Sequence, residues 1–405
     1  MGGPAVVVVG ASQAGFRAAE ALRQGGFDGP ITMVGDEPHR PYDRPPLSKQ
    51  VLAGTQGPGD IVLTPAEGGV DDLDLDWRLG ATATALDLAA REVVLGGGEH
   101  LPFTGLVVAT GAHARRLPGT DHLAGVHTLR TLDDSLALRK ALDGARRVVV
   151  VGAGFIGAEV TATCRGLGLD VSLVEALPVP LERGLGPVMG TVMADLHRDH
   201  GVDLRLGVGV VRLEGDDHVE RVRLTDGTVL DADVVVVGIG VVPNTDWLEG
   251  SGLTLDNGIV CDETCLAAPG VVACGDIARW PNPRFDEVMR VEHWDNAVEM
   301  GGHAARTLLA ELAGRRGEPY APVPWFWSDQ YDRKIQLAGR SGPDDEVKVV
   351  AGSLAERRFV AMYGRAGRLV GILGMNMPAK VMRWRTMLEQ PTRYDDALAT
   401  ARAAS

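Results

Sequence analysis

Cysteine is scarce in this chain, with Cys164, Cys261, Cys265 and Cys274 the only four among 405 residues. No two form a Cys-x-x-Cys pair, which removes the dithiol chemistry of disulfide reductases and leaves reduced structural thiols as the expectation. Three residues separate Cys261 from Cys265, but no nearby Cys or His pair completes a zinc site, so no metal is expected. Long apolar runs are missing too. None reaches membrane-spanning length without interruption, so membrane insertion is not expected. The N-terminal valine run lacks the preceding basic region of a signal peptide; it reads as a first strand, and the protein as cytoplasmic. Basic charge is also in deficit: 40 Lys and Arg face 54 Asp and Glu, a net charge of −14. That balance argues against a nucleic-acid partner.

The deficit is uneven. Residues 321–405 hold 13 Lys and Arg against 9 Asp and Glu, which leaves 27 against 45 in residues 1–320. Such asymmetry is either the footprint of an acidic partner or a solvated face without function. A chain of this length exceeds what one hydrophobic core usually serves, so two or three domains are expected, and a 45% hydrophobic share can fill them.

What is abundant is valine followed by glycine. Val6-Val-Val-Val-Gly10-Ala-Ser12-Gln-Ala-Gly15 and Val148-Val-Val-Val-Gly152-Ala-Gly154-Phe-Ile156-Gly157-Ala-Glu159 each leave a β-branched strand and enter an Ala-rich helical stretch. Either loop alone could be a tight turn with a surface acid beyond it. Two together imply two dinucleotide sites, a pairing that suggests a flavin and a nicotinamide. The first glycine allows the strand-to-helix turn, the second lets the backbone approach a diphosphate, and the third lets helix and strand pack closely. Each copy runs on to a second strand ending in acid, Asp36 in one and Glu175 in the other. An acid there accepts hydrogen bonds from ribose hydroxyls and repels a 2′-phosphate.

Between and beyond these units the pattern changes. Arg40-Pro-Tyr-Asp-Arg44-Pro-Pro-Leu-Ser48-Lys49 carries three prolines that prevent regular pairing and predict an extended, rigid path. A strand and turn are expected at Leu106–Gly111, a helix at Leu132–Leu142, a buried strand from Asp233 ending near Gly240, and a strand-end Gly275-Asp276 pair. A helix is predicted over roughly His293–Leu312. From Ala321 short strands follow, with a helical end at Pro378–Gln390. The duplicated βαβ unit is the only internal repeat.

The proline segment, the paired loops, Ala109-Thr110-Gly111, Gly275-Asp276 and Pro324-Trp-Phe-Trp327-Ser-Asp-Gln-Tyr331 together resemble the FAD-dependent, NADH-using ferredoxin reductases of bacterial oxygenase systems. The resemblance spans essentially the whole chain in order. It implies an α/β protein with two Rossmann-like dinucleotide-binding domains of the glutathione-reductase-like kind and a C-terminal α+β interface domain. The FAD domain would be split between residues 1–112 and 246–320, the NADH domain would be 113–245, and the interface domain 321–405.

By the same likeness Gly10, Ser12, Gly15 and Asp36 hold the FAD diphosphate and ribose, and Arg44 and Lys49 reach the flavin side. Thr110, Gly111, Gly275, Asp276 and His293 complete that set, and Trp294 lies by the isoalloxazine. NADH would take Gly152, Gly154, Ile156, Gly157, Glu175, Arg183 and Gly240, with Trp327 beside the nicotinamide. Ser12 stands where the second glycine is usual; its side chain crowds the diphosphate, although its hydroxyl could donate to it. Glu159, in the first turns of the second helix, is expected to pair with Lys49 and set a cation near flavin N5. As a helix N-terminal acid it would otherwise serve the helix dipole.

Lys49, Glu159 and Trp327 are thus the candidate catalytic residues, for hydride transfer from NADH to FAD followed by single-electron delivery to an iron–sulfur ferredoxin. That ferredoxin would serve a cytochrome P450 or a dioxygenase. Arg333, Lys334, Arg340, Lys380, Arg383 and Arg385 are the expected docking cations. Two other readings stay open. One is an NADH oxidase or peroxidase of the same fold, which would need a cysteine near the flavin where none lies between Gly10 and Gly157. The other is a redox-responsive FAD- and NADH-binding protein resembling apoptosis-inducing factor.

Overall fold

Runs of valine set the two parallel sheets. Val6–Val9 is buried at all four positions in the computed structural model, which describes residues 4–403; the outermost domain limits predicted above lie outside the described residues. This strand pairs in parallel with Ile31–Gly35 on one side and with Gly105–Val108 on the other, Val6 facing Ile31 and Gly105. A strand covered on both faces has no solvent side to alternate with, hence the unbroken valine run. Leu75–Leu79 extends the sheet beyond Ile31–Gly35, Val271–Ala273 extends it beyond Gly105–Val108, and antiparallel Leu266–Ala268 forms the last edge. The helix Gln13–Gln24 leaves the first strand and packs against Trp294–Leu312. At Gly301 the two are so near that any side chain would strike the Ala14 carbonyl.

The chain forms two compact units. This sheet belongs to the first, made of residues up to Asp43, Ile61–His113 and Val242–Pro324. The second contains Arg44–Asp60, Ala114–Val241 and the chain from Trp325 onward. Its parallel sheet has Arg147–Val151 at the centre, flanked by Asp170–Glu175 and Val234–Val237, with Asp203–Leu206 and Val126–Thr128 at the edges. Its C-terminal part is an antiparallel sheet in the order Trp325–Gln330, Arg333–Gly339, Arg368–Met375, Arg358–Arg365, Glu346–Ser353.

One face of that antiparallel sheet is closed by the helix Glu182–Asp199: Leu185, Met189, Met193 and Leu196 share a core with Leu337, Phe359, Tyr363 and Leu373. The helix is broken at Gly186, whose φ of 75° and ψ of 170° leave the helical region just before Pro187. The carbonyls freed by the break find donors in the C-terminal region, the Leu185 oxygen from the Tyr363 hydroxyl at 2.8 Å and the Gly184 oxygen from Ser341.

Three local expectations change. The proline segment is not extended throughout: Pro45–Ser48 is a 3-10 turn with proline in its first positions, because the fixed proline φ suits a helix start as well as it forbids a strand. The predicted helix near His293 begins at Trp294, with His293 extended at its N-cap. The C-terminal helical stretch stops at Arg385, turns once at Thr386–Leu388, and is followed by a further helix, Tyr394–Ala403, that the sequence reading did not anticipate. Leu132–Leu142 is helical as predicted, closed at its start by Thr131 and Asp134 bonding reciprocally. Among the described residues no helix is long and apolar enough to cross a membrane.

Candidate functional site

Backbone crowding accounts for two glycines in each loop. At Gly10, φ is +119° and a side chain would run into the Ala109 carbonyl; at Gly152, φ is +97° and it would meet the Gly238 carbonyl. A side chain at Gly15 would strike the Gly10 carbonyl, and one at Gly157 the Gly152 carbonyl. The middle positions differ. Nothing lies within 4 Å of where a Gly154 side chain would sit, whereas Ser12 occupies its place with φ −125° and ψ −163°, a conformation open to any residue.

Both following helices begin with no side-chain cap bond and no acid in the first turn, so their N-terminal amides are left for another acceptor. In the first helix Gln13 is buried and neither of its side-chain amide atoms has a partner. An open cradle at Gly154, uncapped amides and an orphaned buried amide all fit dinucleotide phosphates.

The acids behave differently. Asp36 is exposed and accepts from the neighbouring Glu37 amide at 3.0 Å. Glu175 folds back on its own loop: one oxygen accepts from the Ala153 amide at 2.7 Å, the other from the Leu177 amide at 2.9 Å. Arg183, eight residues on, is exposed, and Ile156 is 47% exposed beside Gly157.

Thr110 and Gly275, both assigned to FAD, lie against the first loop. Gly275, with φ +74°, sits against Ala14, so that an added Cβ would lie 2.9 Å from the alanine methyl. The Asp276 carbonyl accepts from Arg290 at 3.0 Å. Thr110 and Asn244 are bonded twice, hydroxyl to carbonyl at 3.1 Å and side-chain amide to carbonyl at 2.7 Å, while the Gly111 carbonyl takes the Asn244 amide at 3.0 Å. The Trp294 indole donates to Asp43 at 2.8 Å, which fixes the ring at the head of its helix. Asp43 and Asn244 were not foreseen, although Asp43 lies inside the proline motif.

The second unit holds a buried ion pair. Glu159 is 4% exposed, and its Oε2 accepts from Lys49 Nζ at 2.8 Å and from the Ser48 hydroxyl at 2.5 Å. Its Oε1 accepts from the Ser328 hydroxyl at 2.8 Å. A carboxylate removed from water needs such donors, because an unpaired buried charge is costly. The proline segment is anchored nearby, the Leu47 carbonyl by Ser135 at 2.7 Å and the Ser48 carbonyl by Thr163 at 2.7 Å. Arg44, assigned to the flavin side, belongs to this second unit and donates to the Arg130 carbonyl at 2.5 Å. Gly240 has φ +100° with open space around it. Trp327 stacks on Trp325, ring centres 5.3 Å apart. Ser48, Ser328 and Gln330 were not singled out from sequence, though all three stand inside or next to motifs that were.

Of the docking cations, Arg333 pairs with Asp332 at 2.7 Å and Lys334 with Asp329 at 2.8 Å, so part of that charge is locally balanced. All four cysteines are free and buried, and burial pushes the Cys164 and Cys261 thiols up to about 12. Thiols held so far from ionisation are poor nucleophiles. Among the described residues no cluster of His, Cys, Asp or Glu could hold a metal ion.

The pyridine nucleotide-disulphide oxidoreductase family model matches residues 4–301, and the reductase C-terminal model matches residues 325–405. Rhodocoxin reductase of Rhodococcus erythropolis is 40% identical over 98% of this chain and 92% of its own length. Putidaredoxin reductase of Pseudomonas putida is 37% identical, covering 93% of this chain and 89% of that protein. Among solved structures, the covalent putidaredoxin reductase–putidaredoxin complex is similar with a TM-score of 0.91 and 33% identity, over 100% of this chain and 99% of the other.

Proposed function

The chain belongs to the pyridine nucleotide-disulphide oxidoreductase family, and from that premise we propose that it is an NADH:ferredoxin reductase serving a cytochrome P450 or a ring-hydroxylating dioxygenase. It is a flavoprotein whose cofactors are FAD and NAD(P)H. When bound, the two cofactors supply hydride transfer from nicotinamide to flavin and then release of single electrons to an iron–sulfur ferredoxin.

The observation that carries the reading is the combination of two dinucleotide loops with four cysteines that are all buried and free. Electrons taken from a nicotinamide then have no protein dithiol to enter, which favours an external carrier. The relatives above carry the names of reductases of rhodocoxin and putidaredoxin, which supports an iron–sulfur protein as that carrier. Free thiols fit a reducing cytoplasm, where we place the reaction.

The chain's own residues divide the work. Gly10, Ser12 and Gly15 hold the FAD diphosphate at the start of the first helix, with Asp36 for the ribose and Gly275-Asp276 seated against Ala14. Gly152, Gly154 and Gly157 do the same for NADH, and Glu175 disfavours a 2′-phosphate. Lys49, held by Glu159, supplies a fixed cation for the hydride step, whose barrier falls chiefly through positioning. Trp327 provides an aromatic face. Arg340, Lys380, Arg383 and Arg385 steer an acidic ferredoxin, setting encounter rate and orientation more than affinity.

The test is anaerobic NADH-dependent reduction of a panel of iron–sulfur ferredoxins by the purified holoenzyme. Rapid turnover with at least one, slowing as salt rises, supports the reading, since exposed charges are screened beyond about 8 Å at physiological ionic strength. Slow flavin reduction with no ferredoxin turned over would instead mark a nicotinamide-responsive binding protein.

A further inference from the structure

In the second unit, the Trp325–Gln330 strand and the Phe155–Gly166 helix meet in step. Phe326 packs edge-on against Phe155 with ring centres 4.5 Å apart; two strand residues later Ser328 meets Glu159, four helix residues on. Two strand residues advance roughly 6.7 Å and four helix residues roughly 6 Å, so the apolar contact and the polar one coexist without distortion. Ser328 and Gln330 are wholly buried, and Gln330 Nε2 donates to the Ser328 hydroxyl at 3.2 Å.

The direction of this chain of bonds is fixed at both ends. An amide nitrogen can only donate and a carboxylate can only accept, so the serine oxygen receives the Gln330 proton and its own hydrogen goes to Glu159 Oε1. The other oxygen of Glu159 already takes Lys49 and Ser48. The two carboxylate oxygens therefore have different duties, and Ser328 is the donor that keeps Oε1 away from the ammonium. Without it, Oε1 would be open to the Lys49 ammonium, and only the contacts of Ser48 and Lys49 with Oε2 would hold the carboxylate plane.

The geometry points to Ser328 as a positioning residue: with Gln330 behind it, it fixes the Glu159 carboxylate and, through that carboxylate, the place of the Lys49 ammonium during hydride transfer. The inference rests on the reading that Lys49 and Glu159 serve that step. It also gives the strand bearing Trp327 a chemical tie to the ion pair in addition to a packing one.

Thr and Val are nearly the same size, so Ser328→Thr and Ser328→Val place an equal burden on the packing and differ in the hydroxyl. In anaerobic stopped-flow reduction of the FAD-loaded protein by NADH, Ser328→Val should lower the limiting rate by about tenfold, the scale of a small misplacement of a reacting group. Its NADH dissociation constant should stay near native. Ser328→Thr should restore most of the rate. The midpoint potential of the bound flavin, measured without turnover, should fall in the Val variant and return in the Thr variant, because a less neutralised carboxylate disfavours the reduced anion.

Equal rates and equal potentials in the two variants would overturn the role of Ser328. Should both lose FAD, Gln330→Met, which frees the serine hydroxyl to rotate, should show a smaller loss of rate; a native rate there would overturn the relay. Lys49→Met separates this from the underlying reading. A native hydride rate in that variant removes the ion pair from the step altogether, whereas a slow Lys49→Met beside a native-rate Ser328→Val removes only the positioning role.

Discussion

The two glycine loops agree at their first and third glycines and differ between them, at Ser12 and Gly154. The agreement is a matter of the protein's own backbone: Gly10 and Gly152 face a carbonyl at the end of a neighbouring strand, and Gly15 and Gly157 face a carbonyl within their own loop. No side chain of any chemistry fits. The middle position is different, because the space around Gly154 is open and the backbone at Ser12 is extended. Nothing in the surrounding fold forbids a side chain there, so on the proposed reading that position answers to the dinucleotide the loop would hold. A single motif thus mixes requirements of folding with requirements of binding. The acids repeat the lesson: Glu175 braces its loop through the Ala153 amide, while Asp36 stays exposed and accepts from its neighbour, the Glu37 amide.

The largest effect expected from this comparison is at a folding glycine. Gly15→Val should yield protein without bound flavin, since the side chain would enter the Gly10 carbonyl and separate helix from strand. Flavin absorbance of the purified variant measures it, and normal occupancy would take FAD away from the first loop.

Acid should weaken the unit that carries the second loop. His197 is wholly buried there with Nδ1 on the Tyr331 hydroxyl at 2.8 Å, and burial, with His200 nearby, pushes it down to about 4. Its folded value lies below its ordinary 6.5, so the unfolded chain binds more protons in between. The stability contribution is complete above the unfolded value and is lost as pH falls toward the folded one. That loss is about 2 kcal/mol between about pH 7 and about pH 5. Denaturant melts of the native protein and His197→Asn should show it, the variant lacking this part of the pH dependence; identical slopes would contradict the assignment.

Smaller again is cofactor choice. Glu175→Ala should raise kcat/KM for NADPH relative to NADH by roughly tenfold, about 1.4 kcal/mol, while Asp36→Ala leaves the ratio unchanged. A shift caused by Asp36 instead would exchange the two loops. The smallest effect should come from Gly154→Ala. Its φ of −73° suits alanine, so thermal stability should hold while NADH weakens by about threefold, roughly 0.6 kcal/mol. Lost stability at unchanged affinity would mean that this glycine, too, serves folding.

Much of this was legible in sequence because it obeys local rules. Valine runs announce buried parallel strands, and a glycine loop with an acid at the next strand end announces its turn. The pairing of Lys49 with Glu159 spans 110 residues, and no local rule reaches that far; the resemblance supplied it. Ser48, Ser328 and Gln330 escaped notice because serine and glutamine signal nothing until a buried partner gives them one direction to point. The prolines at 45 and 46 misled, since the same fixed φ that excludes a strand also opens a 3-10 turn. Tyr394–Ala403 was missed because what holds it is tertiary, the Tyr394 hydroxyl on the Met362 carbonyl at 2.9 Å.

On the proposed reading the first loop holds FAD and the second NADH, and Gly157→Val separates the two when its FAD content and its reduction by NADH are followed together. The variant should remain yellow with full FAD occupancy, be reduced by dithionite, and fail to be reduced by NADH at any attainable concentration. A colourless protein, or one reduced by NADH at the native rate, would contradict the division.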